Sequence, residues 1–204
     1  MPEFTDFTDE ELFVLSLSEW MRKQFGWGQE NKALCTPVWE DDWTLIVKLH
    51  AMIETGLNGA LLRELEKPAL ATIVAKLDTS NQATGKVAFA KALGILSDPS
   101  AKFIQQLSEL RNKCVHDVRN FNFNLIKYLG ELKEERRKEI LKHVNKMAKT
   151  TPSCPQEGLL IGGMSIMSEL MVHDLKCQAR DAKRDFVYRE FERLGGLEES
   201  KPKE

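Results

Sequence analysis

Three polar side chains stand at the end of an otherwise apolar run in LSELRNKCVHDVRNFNF (residues 107–123): Arg111, Asn112 and His116. Asn112 and His116 are four apart, so on a helix they share a face. Arg111 lies about 100° round the same helix from Asn112, on its flank. An arginine can grip a phosphate, an amide can orient it, and a histidine can move a proton near neutral pH. Lys113 and Arg119 flank the trio with positive charge, and Phe121 and Phe123 offer faces on which bases could stack. The same residues also have ordinary structural uses. Arg111 can pair with Glu109 or Asp117, a helix-end histidine is favoured in its charged form, and aromatic side chains mostly fill cores and interfaces. Spacing alone favours those structural uses.

The elements that must position these residues are helical. Thr8 and Glu11 have capping-box spacing and open a first helix that ends near Gly26 and Gly28. Trp20, Trp27, Trp39 and Trp43 cluster in this first quarter and are expected to seal it onto the body. A second helix starts at Asp41 or Asp42, passes the weak point GLNG and stops before Pro68. Shorter helices are expected near 69–77 and 82–96. Asp98-Pro99 reads as a cap and first-turn proline, opening a helix through Phe103, Ile104, Leu107, Leu110, Cys114 and Val115 to about His116. A turn rich in asparagine leads into another helix at Leu125. After the break TTPSCP, a long helix runs from about Gln156 to about Arg193. Its stripe of Leu160, Met164, Met167, Met171, Leu175 and Ala182 continues to Phe186. The first half is expected on the body; the second projects or meets a partner subunit.

The fold class is therefore all-α: a bundle of six to eight helices with a long C-terminal helix. No GxGxxG or GxxxxGK[ST] motif occurs, which removes the Rossmann and P-loop enzymes. The 204 residues carry 29 basic and 31 acidic side chains, for a formal net charge of −2. A chain built to coat nucleic acid should be basic. Residues 127–149 depart from that balance, with eight basic and four acidic side chains. Interleaved signs of this kind read first as a solvated helix face.

No run approaches 18 apolar residues and the N-terminal stretch is acidic, so the expected setting is cytoplasmic, with no membrane contact. Cysteines 35, 114, 154 and 177 are expected to be free thiols. The cysteines and four histidines show no close ligand pairs along the chain, so neither a metal nor another cofactor is expected. His173-Asp174 is not read as a dyad, because adjacent helix residues point apart.

The stretch GKVAFAKALGILSDPSAKFIQQLSELRNKCVHD, with MIETGLNGALLRELEK upstream, resembles the HEPN-like helical domains, and most closely the branch that includes the mannitol operon repressor family. The resemblance covers about residues 42–130. Arg111 and His116, with four residues between them, resemble the Arg-and-His signature of the superfamily's ribonucleases, and Asn112 matches the polar residue that follows the Arg. It implies two fates. In the ribonuclease members, paired helices across a dimer form a metal-independent site. Arg111 would then hold the scissile phosphate, His116 would act on the ribose 2′-hydroxyl or leaving oxygen, and Asn112 would orient them. In the repressor-like branch the same helix persists as scaffold in regulatory proteins without an obvious DNA-reading element.

The resulting layout has four parts. Residues 1–40 form an N-terminal helix and connection, 41–149 the HEPN-like core, 150–194 the long helix and dimer arm, and 195–204 a tail. The leading expectation is a non-enzymatic regulatory or protein-interaction module, homodimeric and with a regulatory protein as partner. The alternative is a toxin-like endoribonuclease acting on RNA through Arg111, Asn112 and His116.

Overall fold

The computed structural model describes residues 41–116, 122–148 and 152–193. These form seven α-helices and no strand: α1 (Asp42–Leu65), α2 (Ala71–Lys76), α3 (Lys86–Ala92), α4 (Asp98–Val115), α5 (Leu125–Glu131), α6 (Glu134–Ala148) and α7 (Pro155–Arg193). A 3-10 turn, Pro68–Leu70, precedes α2. The all-α bundle with its long C-terminal helix is as the apolar spacing requires. The first predicted helix, with Trp20, Trp27 and Trp39, lies outside the described residues, as do Arg119, Phe121 and the tail.

α1 is the central element. The Asp41 carboxylate caps it, accepting from the Thr44 amide at 2.7 Å. It continues unbroken through GLNG and buries Leu45, Ile46, Leu49, Ile53, Leu57 and Leu61 against α4 and α7. α1 has the length and apolar character of a membrane-crossing helix, yet half of that stretch is buried in the bundle. It ends at Glu66, which adopts the left-handed conformation with φ 50°. The Glu66 carboxylate accepts from Arg184 of α7 at 2.8 Å, tying this uncommon turn to the long helix.

Local chemistry explains two departures from the expected boundaries. α3 is shorter than 82–96 because side chains claim the backbone before it. Asp78 accepts from the amides of Ser80 and Asn81, and Asn81 accepts from those of Ala83 and Thr84. Gly94, with φ 71°, ends the segment on the other side. The cap of α4 is Ser97 rather than Asp98, its hydroxyl facing the Ser100 amide, with Pro99 in the first turn. On α4, Phe103, Ile104, Leu107, Leu110 and Cys114 are buried as expected, while Val115 is exposed.

Asp42 joins three helix starts: one carboxylate oxygen accepts from the Leu125 amide at 2.6 Å and the other from Gln156 at 3.0 Å. The described part of the basic stretch, residues 127–148, divides into α5 and α6. α6 buries Ile140, Val144 and Met147 and turns its charges outward, where Lys138 pairs with Glu134 and Arg136 with Glu109 and Glu139. α7 packs on both α1 and α6.

Candidate functional site

The end of α4 holds Arg111, Asn112 and His116, but their side chains do not form one cluster. His116 is the C-cap residue; its amide donates to the Asn112 carbonyl at 3.1 Å and its ring is exposed. Asn112 is exposed, and its side-chain oxygen accepts from Arg111 Nη1 at 3.1 Å. No side-chain hydrogen bond joins His116 to either residue among those described. Arg111 and Asn112 instead rim a polar pocket of about 150 Å³ that opens between α1, the loop before α3, and α4. His116 is not part of its wall. Lys113 lies exposed on α4. Phe123 is half-buried and packs on Tyr128, with ring centroids 5.4 Å apart, so its face is already partnered.

The pocket contains a different histidine. His50 on α1 is 7% exposed and its Nε2 lies 3.0 Å from the Ser108 hydroxyl on α4. Its Nδ1 faces Glu54 Oε2 at 3.9 Å. Glu54 Oε1 accepts from Lys86 Nζ at 2.6 Å and from the Thr79 hydroxyl at 2.8 Å. Lys86 is only 1% exposed, an enclosed ammonium whose charge Glu54 answers. Burial pushes the Glu54 carboxyl up, but hydrogen bonds from Lys86 and Thr79 outweigh it and hold the group below its ordinary value. Burial lowers the His50 pKa; Arg111 and Lys86 add to that, against Glu54.

Ser108, His50 and Glu54 follow the order of a hydrolase triad. The geometry is not one. The histidine–carboxylate distance exceeds a hydrogen bond, and Glu54 is committed to Lys86 and Thr79. This is a buried polar network that joins α1, α3 and α4, with Arg111 at its open side. His50 had a sequence signal: it interrupts the stripe Ile46, Leu49, Ile53, Leu57 of α1. Lys86 had none, since lysines are almost never enclosed and nothing local marks this one.

A second constellation lies where α1 ends against α7. Glu64 Oε2, His173 Nε2 and Cys177 Sγ all fall within 4.8 Å of one another. The premise that the chain has no close ligand pair is thereby corrected: His173 and Cys177 are one helical turn apart and face the same way. His173 approaches Glu64 while Asp174 approaches Arg63, so the two neighbours do point apart. Among the described residues Cys114, Cys154 and Cys177 are free thiols, as expected, while Cys35 lies outside them; burial pushes Cys114 up to about 12, leaving it unreactive.

Comparison with family models, with curated proteins and with solved structures finds no match. The chemistry of the chain therefore rests on its own residues.

Proposed function

We propose that this chain is a non-enzymatic, regulatory protein-interaction module that works as a helical homodimer through the distal half of α7. It lies closest in kind to the repressor-like branch of the HEPN-like domains, without a DNA-reading element of its own. The observation that carries this reading is an exposed apolar stripe. Val172, Leu175, Ala179, Ala182 and Phe186 recur at alternating spacings of three and four, which is the seam of a two-helix contact. Leu175 is 50% and Phe186 64% exposed, and Val187, Tyr188 and Phe191 widen the apolar surface. A protein rarely leaves so many large apolar side chains in water on one element unless they meet a partner. Charged neighbours such as Lys176, Lys183 and Asp185 frame the stripe as flanking charges frame a helix pair.

Light scattering tests this. The wild type should have twice the 23.3 kDa chain mass, and the double change Leu175→Glu with Phe186→Glu should halve it without loss of helical circular dichroism. A wild type that stays monomeric at working concentration overturns the proposal.

One observation favours the ribonuclease reading. Among the described residues, the Arg111 guanidinium makes a single hydrogen bond, to Asn112, and no ion pair, so its donors remain available to a phosphate. The Arg and His on one chain do not converge, so this mechanism needs the second copy's helix. Cleavage of single-stranded RNA by wild type and not by His116→Ala, leaving cyclic phosphate ends, would support it. Equal activity, or none in either protein, rejects it.

A further inference from the structure

We infer that Glu64, His173 and Cys177 form a three-ligand site for one borderline-soft divalent cation, of the zinc type, at the point where α7 leaves the body of the bundle.

The geometry is that of a metal site's donor face. Cys177 Sγ lies 3.4 Å from His173 Nε2 and 3.5 Å from Glu64 Oε2, and His173 Nε2 lies 3.5 Å from the same carboxylate oxygen. The three atoms form a nearly equilateral triangle, whose centre lies about 2.0 Å from each corner. An ion slightly above that plane meets all three donor atoms, as they stand, at ordinary zinc bond lengths of about 2.0–2.3 Å. The fourth, tetrahedral position is left for solvent or a ligand. His173 also rims a groove of about 560 Å³ beside α4 and α6.

The donor set selects the ion. One sulfur, one imidazole nitrogen and one carboxylate oxygen suit zinc, cobalt or nickel; magnesium and calcium take oxygen alone. The mounting is rigid. His173 and Cys177 share one face of a continuous helix, Glu64 stands in the last turn of α1, and Cys177 is 2% exposed. Beyond Cys177 no described residue of α7 is buried. The ion would thus join the root of the arm to α1.

Charge points the same way. The carboxylates of Glu64, Glu66, Asp174 and Asp181 are linked to the guanidiniums of Arg63, Arg180 and Arg184. Four carboxylates against three guanidiniums leave that network one negative charge in excess, a setting that favours a cation. Arg180 holds the cation's electrostatic place: its Nη1 lies 3.2 Å from Glu64 Oε2 and its Nη2 lies 3.7 Å from Cys177 Sγ. Arg180 also reaches Glu66 at 3.3 Å and is well exposed, so it can release Glu64 and keep a partner. By contrast, the Glu54 cluster has no thiol, and Lys86 already occupies its carboxylate.

The test uses the full chain, reduced, stripped with a chelator and titrated with cobalt(II). The expected result is one equivalent bound, with a thiolate-to-cobalt charge-transfer band in the near ultraviolet that zinc abolishes by displacement. Cys177→Ser should lose that band. His173→Gln and Glu64→Gln should weaken binding by more than about tenfold. Arg180→Gln should strengthen it, an effect opposite to that of losing a structural ion pair. Absence of a thiolate band, or a band that survives Cys177→Ser, overturns the assignment. If Cys177→Ser fails to fold by circular dichroism, unchanged affinity in the Glu64 and His173 variants overturns it equally.

Discussion

α7 is one uninterrupted helix in two environments. From Leu159 to Met171 it lies in a trough between α1, α4 and α6, where Leu159, Ile166, Met167, Leu170 and Met171 are buried. Gly162 and Gly163 set the depth of that trough. A Cβ on Gly162 would run into the Phe103 ring, and one on Gly163 into Leu49. Past Cys177 the same helix faces water with Phe186, Val187, Tyr188 and Phe191 uncovered. Both halves have a helical apolar stripe. What separates them is whether another described element of the same chain packs apolar side chains against them. A hydrophobic stripe specifies that something must cover it, and the fold decides what.

The sharpest way to break this contrast is to fill the trough. Gly162→Leu should cost about 3 kcal/mol or prevent folding, because a close-packed interior cannot absorb the added volume. Denaturant unfolding measures it, and wild-type stability would show that the first half is loosely seated. The next test compares two residues eight apart on one helix. Met167→Ala should cost about 3 kcal/mol by leaving a cavity in the core. Leu175→Ala should stay within about 0.5 kcal/mol in dilute protein, where no partner covers it. Similar losses at both positions would erase the distinction between the halves.

The smallest effect sharpens the buried side. His50 faces Ser108, Glu54, Arg111, Lys86 and Asp78, and its pKa is lowered in the folded chain. The unfolded chain therefore takes up the proton more readily. His50 contributes full stability above its unfolded value near 6.5, and that contribution is lost as pH falls toward the folded value. His50→Gln should flatten the fall in melting temperature between about pH 7 and about pH 5. The slope should be reduced rather than abolished, since burial also lowers His143 and His173. An unchanged slope would place His50 outside the pH response.

Much of the fold was legible. The stripes on α1 and α4 and the punctuation by Pro68, Pro99 and TTPSCP are local signals, and helices respond to local signals. The shortened α3 was not legible as such, because Asp78 and Asn81 diverted the backbone into side-chain-capped turns that a window average reads as helix. The candidate site was legible in part. The segment Arg111–His116 is marked by polar residues ending an apolar stripe. That Arg111 faces His50 instead of His116 depends on α1 packing across α4, which brings together two residues 61 positions apart in the chain.

The sequence by itself determined the all-α class, the length and register of the principal helices and the apolar character of both halves of α7. These follow from the 3.6-residue period and from capping chemistry, which act within a few residues. Only the tertiary structure decided which polar groups meet. It enclosed Lys86 against Glu54, turned His50 toward Ser108, and brought Glu64 to His173 and Cys177 across more than a hundred residues. Those encounters depend on how helices are stacked, which local spacing along one helix does not set.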